Sequence, residues 1–436
     1  MKITFYGAAR EVGRSCVLVE AKQAKVLIDA GIKLGEVEEH PLIPDSILKN
    51  IDAVIISHSH LDHCGYLPHL FSRGYAGPVY ALKPTLELIN VIINDYLKIS
   101  KPKDVKKDGL TKMIRHYRMV DYHQEFRVKD IAIKLVPAGH ILGSSMVEIR
   151  DGERRLLYTG DICLKSTKLL DPAYTEYLKA DTLITESTYG GNKDVFPSEH
   201  IVLNKMVASL KETINKGGKI IIPSLAVGKA QEILFILDDY IRSGVLPTVP
   251  IYIDGMIIKA MRIYRHNVIY CKDEIQKRIL MSEDDPFKSK NFNFVDGKED
   301  RTKIIKSEGA AIIVTTSGML KGGPVIRYIE KLRSDTKCKL MLTSYQAPGT
   351  PGRVLQDGGD TIEIRGEKVK ISMPIEMYHM SGHADRPQLL KLIGKVQGLR
   401  KVFIIHGEET KSKELMEALK NKYNTVLPEL TKTYEL

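Results

Sequence analysis

Short apolar runs separated by polar turns dominate roughly the first two hundred residues. "KITFYGA", "SCVLVEA", "AKVLIDAG", "DAVIISH", "PVYAL", "IAIKLVPAGH", "RRLLYTGD" and "DTLITEST" read as strands bounded by turn residues. Helical periods are few there. The clearest is "PTLELINVIINDYLKI", where Leu86, Leu88, Ile89, Ile92, Ile93 and Leu97 fit one buried helical face. From about residue 196 the texture changes. "SEHIVLNKMVASLKETINKGG" predicts a long amphipathic helix stopped by paired glycines. Strand–turn–helix units follow, such as "KIIIPSLAVGKAQEILFILDDYI" and "VPIYIDGMIIKAMRIY". The stretch 283–302 has neither period and is expected to be a loop, while after about 362 the pattern returns to strands and loops. No internal repeat is visible.

This order predicts an α/β architecture in which a parallel α/β domain, 191–362, is inserted into a first domain made of 1–190 and 363–436. A length of 436 residues is enough for two cores. No run of eighteen apolar residues occurs, so no membrane span is expected. The N-terminus reads as a strand entering a turn and lacks the regions of a signal peptide. The five cysteines are scattered without a CxxC pair, which argues against a disulfide framework or zinc ribbon and for a reduced, cytoplasmic chain. The formal net charge of +11 is compatible with a polyanionic partner.

The candidate chemistry lies in "ISHSHLDHCG", directly after a buried-strand pattern. Imidazole and carboxylate are the ligands zinc takes at catalytic sites. His58 and His60 sit two apart and can face one point, while Asp62 and His63 fall on the next turn and can face a second. One cation has no room for all four plus water, so the spacing suggests two metals. Further ligands are sought at strand ends, where His140, Asp161 and His406 each follow an apolar strand.

"LIDAG" (27–31), "SHSHLDH" (57–63), "AGHILGS" (138–144), "YTGD" (158–161) and "IIHGE" (404–408) resemble, in order, the motifs of the metallo-β-lactamase fold. The resemblance implies an αββα sandwich with two Zn2+ per chain at one edge. It assigns His58, His60 and His140 to one zinc, Asp62, His63 and His406 to the other, and Asp161 as the bridge. Asp29 then supports the ligand loop through hydrogen bonds without being a ligand.

The insert carries "ESTYG" (186–190), "AVGKAQEIL" (226–234), "YIDGM" (252–256), "TTSGML" (315–320), "SYQAPGTPGR" (344–353) and "SGHAD" (381–385), counting the motifs at its margins. These resemble the β-CASP nucleases, above all the nuclease subunit of the cleavage and polyadenylation specificity factor and its archaeal relatives. The implied function is zinc-dependent hydrolysis of RNA phosphodiester bonds, endonucleolytic on single-stranded RNA. A 5′-to-3′ exoribonuclease and an inactive RNA-binding scaffold subunit are the alternatives. Asp62, His383 and Glu186 form the expected catalytic set, with His383 donating a proton and Glu186 orienting it. Ser317, Gly318, Ser381, Gly382 and Lys229 are expected to contact phosphates in a groove between the domains. Lys229 stands where relatives usually carry arginine, and Ser344 where they carry glycine, so the grip on phosphate at residue 229 loses a bidentate fork. RNA and a second copy of the chain are the expected partners.

Overall fold

The computed structural model describes residues 1–436 apart from Glu36, Lys107, Glu153 and Glu283. The chain divides into two compact units. Met1–Ser166, Leu170–Val195 and His383–Leu436 make the first, and Thr167–Leu169 with Phe196–Gly382 make the second.

In the first unit the alternating runs become two seven-stranded sheets. One runs in the order Thr433–Glu435, Lys2–Phe5, Val17–Glu20, Lys25–Ile28, Ala53–Ile55, Val79–Leu82, Tyr117–Val120. Its pairings are antiparallel as far as Lys25–Ile28 and parallel beyond. The period of two sorts its side chains between faces. Leu18, Leu27 and Val54 join Leu70, Leu86, Ile89 and Ile93 of the helices Leu67–Ser72 and Lys83–Ser100 in one core cluster. Val19, Val26, Ile28 and Ile55 alternate with them and are fully buried on the opposite face.

The other sheet runs Asn424–Val426, Lys401–Ile405, Thr182–Glu186, Arg154–Tyr158, Ser145–Asp151, Ile131–Pro137, Glu125–Val128. Phe5 meets Phe403 across the sheets at 5.3 Å between ring centroids, and Tyr434 packs edge-on against both. The helices Arg386–Lys395 and Glu409–Leu419 cover its outer face, with Leu389, Leu392, Ile393 and Leu415 clustered on Leu157, Leu183, Val402 and Ile404. Helix, sheet, sheet, helix is the αββα sandwich that the motif resemblance implies. The carboxyl ends of Arg154–Tyr158, Thr182–Glu186 and Lys401–Ile405 lie side by side because these strands pair in parallel.

The second unit holds a six-stranded sheet in the order Phe292–Phe294, Ile251–Asp254, Ala311–Thr315, Lys219–Pro223, Lys339–Leu342, Ile375–Met377, parallel throughout. It extends to Gly382, past the boundary near 362 that the sequence texture suggests, because Ile375–Met377 pairs with Lys339–Leu342 of the inserted sheet. The stretch 283–302 also differs from expectation. Phe292–Phe294 is an edge strand, and the helix Gly297–Lys306 starts a few residues later. That strand is specified by pairing with Ile251–Asp254, a tertiary contribution that leaves no local period to read.

Candidate active site

"LIDAG" builds the support before any ligand is placed. Asp29 ends the strand Lys25–Ile28 in left-handed backbone, φ 59°, and its N–H donates to Ile55 O at 2.8 Å. Its fully buried carboxylate accepts from the Ser57 N–H (2.7 Å), the Ser57 hydroxyl (2.8 Å) and the Tyr158 hydroxyl (2.7 Å). It also lies 2.7 Å from His63 Nδ1. That contact turns His63 Nε2 toward Asp161, 3.4 Å away. Gly31 is required by close approach, since a Cβ there would sit 1.7 Å from Asp62 O. On either side, Ala30 N–H donates to His63 O and Ile32 N–H to Leu61 O, so this segment pins the ligand turn.

Six candidate ligands converge on a seventh, Asp161. Ligand atoms of His58, His60, His140 and Asp161 form one group, and those of Asp62, His63, Asp161 and His406 form another, each within 4.8 Å. In the first, His60 Nδ1 lies 3.2 Å from His58 Nε2 and 3.1 Å from His140 Nε2. Tetrahedral zinc–nitrogen bonds give ligand–ligand edges of about 3.3 Å, so these separations fit a cation between the rings. In the second, His406 Nδ1 lies 3.2 Å from Asp161 Oδ1, and His406 Nε2 lies 3.3 Å from Asp62 Oδ2. His406 also has left-handed backbone, φ 48°, secured by its N–H on Ala8 O at 2.8 Å. Asp161 Oδ1 is buried and accepts no hydrogen bond, an orphan acceptor that a bound cation would satisfy. The residues present therefore fit a two-metal centre.

A third group shares the same carboxylate: Asp161, Glu186 and His383. Both Glu186 oxygens face His383 Nδ1, at 3.1 and 3.0 Å, and one of them accepts the Ile162 N–H at 2.8 Å. His383 Nε2 is left pointing toward Asp161 Oδ2, 3.9 Å away. Burial opposes a charge on His383, yet Glu186 and then Asp161 outweigh it and raise its pKa to about 9. Burial likewise opposes ionisation of Asp161, but the His406, His63 and His383 imidazoles hold it well below the usual carboxylate range. Burial, reinforced by neighbouring His63, holds His58 well below the ordinary imidazole value, the neutral form a metal needs.

The five residues expected to touch phosphate lie in the second unit. Ser317 and Gly318 follow the strand Ala311–Thr315, Lys229 opens the helix Lys229–Arg242, and Ser381 and Gly382 close the unit. Ser317 Oγ donates to Gly322 O at 3.1 Å, and Gly318 O accepts from Gln346 Nε2 at 3.0 Å. Beyond the carboxyl ends of the two neighbouring strands Lys219–Pro223 and Lys339–Leu342, Ser224 Oγ, Ser344 Oγ and Gln346 Oε1 are buried without hydrogen-bond partners. Ser57 and Tyr158, which hold Asp29, were not singled out from sequence, although each stands inside a quoted motif. Thr188, whose hydroxyl meets His406 Nδ1 at 3.3 Å, was equally within reach in "ESTYG".

Strand-end imidazoles and carboxylates around one shared aspartate, on an αββα sandwich, define a metal-binding hydrolase of the metallo-β-lactamase type. Comparison with known families agrees. Residues 9–214 match the metallo-beta-lactamase superfamily, 230–355 the Beta-Casp domain, and 368–428 the Zn-dependent metallo-hydrolase RNA specificity domain. The chain is 37% identical to the transcription termination factor FttA of Methanocaldococcus jannaschii, covering 98% of this chain and 70% of that protein. The FttA proteins of Methanothermobacter thermautotrophicus and of Lokiarchaeum sp. are 36% and 35% identical, each over 97% of this chain and 69% of theirs. A protein of unknown function from Enterococcus faecalis V583 shares the fold, with a TM-score of 0.63 at 16% identity over 100% of this chain and 99% of that one. The chain belongs to the β-CASP branch of the metallo-β-lactamase superfamily, together with these archaeal factors. Among the described residues no helix is long and apolar enough to cross a membrane.

Proposed function

We propose that the chain is a zinc-dependent ribonuclease that cuts single-stranded RNA internally. The observation that carries this reading is the convergence on Asp161 of two four-residue ligand groups and the Glu186–His383 pair. His58, His60 and His140 would hold one zinc, Asp62, His63 and His406 the other, with Asp161 between them and Asp29 behind His63. Zinc bound there would supply a water of lowered pKa and offset charge on the phosphate oxygens. The chain's own part is proton delivery. With Nδ1 committed to Glu186, protonated His383 donates from Nε2 to the leaving 3′ oxygen as the phosphorus–oxygen bond breaks. The products are a 3′-hydroxyl and a 5′-phosphate. Glu186 fixes the ring and keeps it charged at neutral pH.

RNA is the substrate that the neighbouring features support. Residues 368–428 match a domain described by RNA specificity, and the related archaeal proteins are named for transcription termination, so a nascent transcript suits the reading. Ser317, Gly318, Ser381, Gly382 and Lys229 are proposed to touch phosphates, and the unpartnered Ser224 and Ser344 hydroxyls beside the first two supply further donors. Because a full set of ligand types is present, an inactive scaffold is the weaker reading. Zinc-loaded protein should cut a circular RNA, which has no end to enter. Mononucleotide release from a 5′-monophosphorylated linear RNA with the circle left intact would instead establish the exonuclease. No cleavage of either, with RNA still bound, would favour the scaffold.

A further inference from the structure

We propose that Glu38, His40 and His69 form a separate site for a zinc-class divalent cation, which staples the paired strands Lys33–Leu34 and Glu38–Glu39 to the helices beside them. Ligand atoms of the three lie within 4.8 Å of one another, and none belongs to the centre around Asp161. Glu38 opens the second strand of the hairpin formed by Lys33–Leu34 and Glu38–Glu39, and His40 follows that strand. His69 comes from the helix Leu67–Ser72 and is fully buried.

Three features favour a cation over a plain hydrogen-bonded cluster. First, two imidazoles and one carboxylate are a donor set found at zinc sites. Glu38 Oε1 lies 2.8 Å from His40 Nε2, and the His40 and His69 rings are 4.5 Å apart. Second, the outer groups stand where a ligand shell needs them. Asp104 occupies His69 Nδ1 at 2.7 Å, the carboxylate–imidazole arrangement that fixes a metal-binding tautomer, so the ion would take Nε2 in place of its contact with the Tyr96 hydroxyl. Tyr66 stacks on His69 with ring planes 9° apart, and the Tyr96 hydroxyl donates to Glu38 at 2.6 Å while lying 3.2 Å from His69 Nε2. Third, among the described residues no lysine or arginine forms an ion pair with the two carboxylates here. Adjacent Glu39 and nearby Glu11 pair with Lys33 and Arg14. Among the described residues, Glu38 and Asp104 form ion pairs only with His40 and His69. Two carboxylates facing two imidazoles leave room for positive charge. His40 and Glu38 are 31% and 25% exposed at their side chains, so the ion has a way in and water can complete its shell.

The ion would be structural. The hairpin it fastens follows directly on residues 30–32, whose backbone holds the ligand turn at 61–63. The test is zinc content by elemental analysis after gel filtration, with cobalt absorption as a second readout. Wild-type protein should hold about three zinc ions, two from the Asp161 centre and one here. His40→Ala and Glu38→Gln should each lose one equivalent and keep the two zinc ions of the Asp161 centre. A His58→Ala/His63→Ala background separates this site from the Asp161 centre. There one equivalent, with the visible bands of four-coordinate cobalt, should survive and disappear on adding His40→Ala. Equal zinc in the presence and absence of His40→Ala, in both backgrounds with folded protein by circular dichroism, would overturn the proposal.

Discussion

Two histidine clusters of the first unit share their chemistry and differ in construction. Around Asp161 four of the seven candidate donors stand just beyond the carboxyl end of a strand, and His60, Asp62 and His63 lie on the turn and short helix that follow the first of these strands. His58 follows Ala53–Ile55, His140 follows Ile131–Pro137, Asp161 follows Arg154–Tyr158 and His406 follows Lys401–Ile405. The strands are anchored in two cores, so the donors are placed by the whole sandwich, and one carboxylate serves three groups. The cluster at Glu38, His40 and His69 hangs instead on a two-residue-per-strand hairpin and a short helix, with its outer edge open to water. A site held by strand ends can be rigid and reactive. One held by a hairpin gains more from an ion than it gives.

That contrast is broken most directly at Asp161. Asp161→Asn should remove zinc from both halves of the main centre and lower RNA cleavage by more than about a hundredfold, exceeding the loss typical of an outer-shell change. The zinc at Glu38, His40 and His69 should stay. Activity that survives exhaustive chelation would defeat the two-metal reading altogether.

His383→Ala comes next. It should retain zinc and RNA affinity while turnover falls by about a hundredfold or more, the usual cost of a lost general acid. Single-turnover rates on saturating RNA are the measurement. An affinity collapse with the bound-state rate preserved would make His383 a binding residue.

A smaller effect is expected behind the ligands. Asp29→Asn keeps the size of the side chain and removes the charge that four buried groups share. Zinc affinity should weaken about 10- to 100-fold, as for other outer-shell partners. Tyr158→Phe removes one of those hydrogen bonds and should cost about 1 kcal/mol in stability with little change in metal content. If Asp29→Asn binds zinc as tightly as wild type, the carboxylate is only a packing device.

The same contrast explains what the sequence could disclose. An apolar strand followed at once by histidine or aspartate is a local pattern, so His58, His140, Asp161 and His406 can be picked out before any fold is known. Asp29 became legible through the family motif "LIDAG", while its partner Tyr158 is an ordinary strand residue until the sandwich brings it 2.7 Å away. Glu38, His40 and His69 join residues that no motif spans, and only the packing of the hairpin on the helices reveals them. The inserted sheet behaves alike. Its central strands are read from continuous apolar runs, Ile220 to Ile222 and Ile312 to Val314, but the edge strands Phe292–Phe294 and Ile375–Met377 are short and depend on their neighbours.

The mildest change probes the charge on His383. Its pKa is raised to about 9 because Glu186, and then Asp161, outweigh burial. A raised pKa keeps the proton-donating form populated at neutral pH, and turnover should fall only as pH climbs through that value. Glu186→Gln preserves an oxygen for the Ile162 N–H but withdraws the largest stabilising charge. The imidazolium then loses its proton more easily, so the alkaline limb of the pH–rate profile should move to lower pH. Activity below that limb should be affected much less, because the ring can still donate from Nε2 when protonated. The comparison is kcat against pH for the two proteins at saturating zinc and RNA. A limb at the same pH in both would mean that Glu186 only positions His383 and that the charge holding its proton comes from elsewhere in the site.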